Sequence, residues 1–149
     1  MIKALNSRTI PEPGSAELAA IIDYCNVNKP RLLAMLPMTA GEIVEGTGSF
    51  ERLFELVRQR GGGRVRIGTT GRCQLTEGMA EKNADRLILR AQIFKLELPS
   101  AGAIMAVVRR AALEDAIKAG GRAAEIAAAF AVSERHVFKV AKRMRECGR

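Results

Sequence analysis

The feature that constrains this chain most is a spacing of apolar and small residues between Ala123 and Arg143. Ile126 and Ala127 fall on one helix, with Phe130 near its end. Ala131-Val132-Ser133 interrupts it, and Val137 and Val140 then mark one stripe of a second helix. Ala127 must be small where the second helix crosses it closely. Val132 plugs the gap between the two helices. Ile126, Phe130, Val137 and Val140 make the shared core that fixes their angle. Ser133 caps the second helix and leaves its first N–H groups facing outward. Such a pair is a helix-turn-helix, whose second helix enters the major groove while the first crosses the backbone. The turn position usually given to Gly is Ala131, where a positive φ would cost Ala roughly 1 kcal/mol relative to Gly. An ordinary helical hairpin in an Ala-rich bundle is the competing reading.

Charge follows the same segment. The chain carries +8 with a pI near 10.0, which attracts polyanions, nucleic acid first; a merely basic protein has the same balance. From Arg135 to Arg149 there are six basic residues and one acid, Glu146. Arg135, Lys139 and Lys142 share one face at i, i+4, i+7, away from Val137 and Val140. Any basic run suits a solvated face, but on the outer side of a recognition helix it suits DNA. Glu134, Arg135 and Lys139 are placed to reach base edges: Arg or Lys prefers guanine, and Glu accepts from cytosine N4. Ser133, Phe138 and Lys142 are candidates for phosphate, sugar or a thymine methyl. Arg143, Arg145 and Arg149 supply salt-dependent backbone attraction, and Arg122 adds a phosphate candidate at the start of the first helix. His136 points toward the body or the groove edge.

The rest of the chain reads as short helices. Residues 1–14, ending in Pro11-Glu12-Pro13-Gly14, read as a flexible arm. Ser15 caps a helix over Ala16–Cys25, Pro30 suits the first turn of Arg31–Leu36, and Thr39 opens Ala40–Glu45. Ser49 caps Phe50–Arg60, which Gly61-Gly62-Gly63 ends. Glu77–Arg90 and Ala101–Ala119 are further helices, the latter capped by Ser100 and closed by Gly120-Gly121. Arg64–Ile67 and Phe94–Leu98 alternate polar and apolar residues, as half-buried strands do. An offset of 31 residues places Leu56-Val57 on Leu87-Ile88 and the first strand on the second, a weak helix–turn–strand duplication. The expected fold is therefore mainly α with two short β-strands. A body over 15–98 precedes a helix-turn-helix DNA-binding domain over 99–149. The strand edges, with Val65, Ile67, Leu96 and Leu98, are free to pair with each other or across a two-fold axis.

Other chemistry is thinly represented. Cys25, Cys73 and Cys147 form no CxxC pair, and with His136 they complete no metal set. No P-loop or GxSxG occurs, and the triple glycine precedes a strand pattern rather than a phosphate-cradling helix. Neither enzyme activity nor a cofactor is expected. No apolar run approaches a membrane span, and Met1–Asn6 lacks a secretory pattern, so a cytoplasmic protein without a membrane partner is expected. Aromatic residues are 4% of the chain, too few for a base-stacking single-strand platform.

Leu96-Glu97-Leu98-Pro99, Arg109-Arg110-Ala111-Ala112-Leu113, Ala124-Glu125-Ile126-Ala127 and Val132-Ser133-Glu134-Arg135-His136-Val137 together resemble the Mor/C family of phage transcription activators. Leu56-Val57 followed by Gly61-Gly62-Gly63-Arg64-Val65-Arg66-Ile67 is similar to that family's helix, double glycine and short strand. The likeness covers roughly residues 40–143, unevenly. Gly68 stands where the family has a proline, and the second copy lacks the glycines. The resemblance implies a homodimer whose helical N-terminal region and strands form the interface. It further implies binding to an imperfect palindrome and contact with RNA polymerase. The expectation is a sequence-specific dimeric transcription regulator of phage or mobile-element type, acting on double-stranded DNA. The alternatives are a partition or recombination accessory protein, since partition-protein helix-turn-helices share a similar Val-Ser-Glu-Arg-His-Val run, and a protein-interaction antiactivator.

Overall fold

The computed structural model describes residues 5, 8–63, 75–93 and 96–147. Eight α-helices lie among them. Four of the helices are opened by a serine that the sequence marks for the task. Ser15 Oγ accepts the Leu18 N–H (3.2 Å) at the head of α1, Ala16–Val27. Ser49 Oγ accepts the Glu51 N–H (3.1 Å) before α4, Phe50–Arg60. Ser100 Oγ accepts the Ala103 N–H (3.2 Å) before α6, Ala101–Lys118. Ser133 Oγ accepts the His136 N–H (3.1 Å) before α8, Glu134–Cys147. Each bond satisfies an N–H that the helix itself leaves without a partner.

The remaining helices are α2 (Lys29–Met35), α3 (Met38–Thr47), α5 (Glu81–Ile93) and α7 (Ala123–Phe130). Thr39 does not open α3. It lies inside the helix and is buried, and Pro37 occupies the cap position. α5 begins at Glu81 rather than Glu77, because residues 75–78 form a turn in which Gly78 has φ +76°.

The expected pair of β-strands is not there: the fold is all-α, with no strand among the described residues. Among the described residues, the Leu96–Leu98 stretch is tied by a bridge of two backbone hydrogen bonds to the turn after α4. Gly62 N–H donates to Leu98 O (2.8 Å) and Leu98 N–H donates to Gly63 O (2.9 Å). Pro99 follows at once and has no N–H to extend a ladder. The alternation that suggests a strand has a simpler cause: Leu98 is buried, Leu96 is half-buried, and Glu97 between them is exposed. Arg64–Ile67, Phe94 and Lys95 lie outside the described residues. The glycines meet the bridge's geometry. Gly62 has φ +83°, and a Cβ on Gly61 would stand 2.4 Å from Val57 O.

Packing builds one apolar cluster that runs from Leu5 to Val140. Phe50 and Phe54 of α4 lie with ring centroids 6.5 Å apart and are almost fully buried, as are Ile21, Leu32 and Ile43 on α1–α3. α5 rests on α3, where Ala80 N–H donates to Gly46 O (2.8 Å) and Asn83 Nδ2 to Glu42 (3.0 Å). Within the first fourteen residues, Leu5 is buried, Ile10 packs on the core and Pro11 O accepts from Arg58.

α6 is the central strut. It touches α2 and α4 on one side and both α7 and α8 on the other. Ile104, Met105, Val108, Ala111, Ala112 and Leu113 are its buried face. Arg31 of α2 clamps it by pairing with Glu114 (2.7 Å) and Asp115 and donating to Ala111 O (3.0 Å). The Tyr24 hydroxyl donates to the same Asp115 at 2.5 Å.

Candidate nucleic-acid interface

α7, the turn and α8 assemble around the residues the spacing singles out. Ile126, Ala127, Phe130, Val137 and Val140 are all buried, and Val132 is half-buried against them. Ala131 takes φ 55°, ψ 42°, the one left-handed non-glycine among the described residues. Its N–H reaches Ala128 O at 3.4 Å, and Val132 N–H donates to Ala127 O at 3.0 Å. This paired closure is a Schellman turn, in which a left-handed residue lets two N–H groups satisfy the helix's last carbonyls. It places Ser133 at the head of α8 and sends that helix across α7.

The candidate DNA residues all reach solvent: Arg122, Ser133, Glu134, Arg135, Phe138, Lys139, Lys142, Arg143 and Arg145 are exposed. They do not share one face. Ser133, Arg135, Phe138, Lys139 and Lys142 line one shallow depression on the outer side of α8. Phe138 is 61% exposed there, so it contributes little to the core. Arg143 faces another way and lines a cleft between α8 and α6. His136 borders both surfaces. The side chains of the outer face form no ion pair among the described residues, so their charge is available to a polyanion.

Of the residues expected at a dimer contact, Leu98 is buried in the chain's own core and Leu96 packs against it. Val65 and Ile67 lie outside the described residues, as do Cys73 and Arg149. Spacing along the sequence did not single out the cationic side chains Arg8, Arg109 and Lys118, which tertiary packing brings to the cleft beside Arg143. The adjacent arginines Arg109-Arg110 on a core-facing helix are the only sequence signal for them. Among the described residues no group of three His, Cys, Asp or Glu side chains is placed to hold a metal ion. No helix there is long and apolar enough to cross a membrane. The chain matches no protein-family model, and neither a curated protein nor a solved structure resembles it closely enough to match.

Proposed function

We propose that the chain is a sequence-specific DNA-binding transcription regulator of the Mor/C type. In this reading it works as a homodimer on an imperfect palindrome and meets RNA polymerase at the promoter. One observation supports it above the rest. Arg135, Lys139 and Lys142, without an ion pair among the described residues, stand on the outer face of a helix held across its neighbour by a left-handed turn and a serine cap. In a major groove, Glu134, Arg135 and Lys139 read base edges. Phe138 meets sugar or a thymine methyl, and Ser133, Lys142, Arg145 and Arg122 hold the backbone. Two such heads on a two-fold axis meet half-sites about 10 base pairs apart. The activity needs no catalytic group and no cofactor.

Selection of bound sequences from a random DNA pool at near-physiological salt tests the reading. An enriched imperfect palindrome is the expected result, and its spacing gives the distance between heads. Binding without enrichment that vanishes as salt rises would reduce α8 to a nonspecific anchor. The search would then move to a protein partner of the helical body.

A further inference from the structure

On the flank of α8 turned away from Arg135 and Lys139, α6 and the helix-turn-helix enclose a cleft of about 540 Å³. Its floor is apolar, made by Leu113, Phe130, Val132, Val140 and Met144. Its rim is cationic and comes from three separate parts of the chain: Arg8, then Arg109 and Lys118 of α6, then Arg143 of α8. The carboxylate in the lining, Glu114, does not neutralise that rim. It is engaged by Arg31 at 2.7 Å and Arg110 at 3.4 Å. Among the described residues Arg8, Arg109, Lys118 and Arg143 form no ion pair.

The volume lies within the roughly 300–1,000 Å³ of small-ligand sites, which have mostly apolar walls and a few converging polar groups. Like charges around one hollow draw an anion toward it. An inorganic anion would use the rim and leave the floor wet. A neutral apolar molecule would fill the floor and leave the charges unanswered. A DNA backbone is too stiff and too polar to enter between two packed helices. We infer that the cleft binds a small amphipathic anion, a carboxylate or phosphate carried on an apolar body. The anionic group sits on the rim arginines and the body lies on Phe130, Val132 and Met144. Arg143 is also a candidate DNA-backbone contact, so ligand and DNA compete for it. That coupling rests on the DNA-binding reading, whereas the ligand site itself does not.

The test uses the full chain without DNA, so that failure of the site and failure of the DNA reading remain distinct. Decanoate is titrated calorimetrically below its micelle concentration, with decanol and inorganic phosphate in parallel. Saturable binding of one decanoate per chain is expected, with decanol and phosphate each at least about tenfold weaker, because each lacks one of the two contacts. Arg143→Ala and Lys118→Glu should each weaken decanoate binding, the first by about tenfold or more. Both residues lie outside the core, and a melting curve of each variant verifies folding. Cys147 lines the cleft and is exposed, so its alkylation, followed by peptide mass spectrometry, should slow as decanoate saturates. Absence of saturable binding would overturn the site. Equal binding of decanol would make it a greasy groove, equal binding of phosphate a general anion patch, and unprotected Cys147 would place the ligand elsewhere; each of these overturns the proposal.

Discussion

Val132 donates its backbone N–H to the carbonyl of Ala127 at 3.0 Å, and its half-buried side chain packs against the core to which Ala127 belongs. That contact closes α7 and sets the direction of α8, but it holds Ala131 at φ 55°. A Cβ is unfavourable in that region, and Gly occupies it at no steric cost. Ala131→Gly is therefore expected to stabilise the protein by about 0.5–1 kcal/mol, the relief of strain exceeding the added freedom of the unfolded chain. Ala131→Val should destabilise it by more than that, because a β-branched residue fits the left-handed region worse. Urea unfolding of the two variants checks the sign. A destabilised Ala131→Gly would mean that the turn does not hold the left-handed conformation in solution.

The outer face of α8 separates base reading from packing. Arg135→Ala should cost about 1–3 kcal/mol at the cognate site and relax preference at one base position. Lys142→Ala, a backbone contact on the same face, should weaken all sequences alike and lower the salt dependence. Phe138 is 61% exposed, so Phe138→Ala should leave stability within about 0.5 kcal/mol while reducing DNA affinity. Binding measured over a salt series on cognate and scrambled duplexes distinguishes these outcomes. Equal loss on both duplexes for Arg135→Ala would move it to the backbone class.

Local rules explain what the sequence made visible. Ser15, Ser49, Ser100 and Ser133 each announce a helix start because a cap needs only three or four neighbouring residues. The stripe of Val137 and Val140 is likewise read from period alone. The alternation at Leu96–Leu98 misleads because burial on one side produces a period of two with or without a sheet. Here Leu98 anchors the chain against the Gly62-Gly63 turn, and Pro99 has no N–H to carry the pairing further. The turn at Gly78 delays α5, which pattern over Glu77–Arg90 does not reveal. The cationic cleft is hidden for a different reason. Arg8, Arg109 and Arg143 meet only once α6 docks on the helix-turn-helix, and nothing in their spacing encodes that.

Arg31 is the cross-brace between the N-terminal helices and α6. It serves Glu114, Asp115 and the Ala111 carbonyl, and Asp115 also accepts from Tyr24. Arg31→Ala should cost about 2–3 kcal/mol, within the range for charged hydrogen bonds, because the side chain is still 27% exposed. Tyr24→Phe should cost about 1 kcal/mol. The double variant should lose less than the sum, since both side chains act through Asp115. Chemical denaturation of the four proteins measures the coupling, and strict additivity would show that the two contacts are independent.

Alkaline pH should expose the burial of Cys25. The residue has no solvent exposure, and burial pushes its thiol from the ordinary 9.0 up to about 12. The folded state therefore keeps the proton when the unfolded chain gives it up. A raised folded value contributes fully below the unfolded value and is lost as pH climbs toward the folded one, here between 9.0 and about 12. Stability should fall by up to about 1.4 kcal/mol per pH unit for this one proton. Tyr24 adds to the decline from pH 10.0 upward, because burial, then its hydrogen bond to Asp115, raise its hydroxyl in the same sense. Urea curves at about pH 8 and about pH 10.5 measure the loss. Cys25→Ala should start less stable by about 1–2 kcal/mol for its small cavity and then decline more gently with pH. An equally steep decline in that variant would place the alkaline sensitivity elsewhere in the chain.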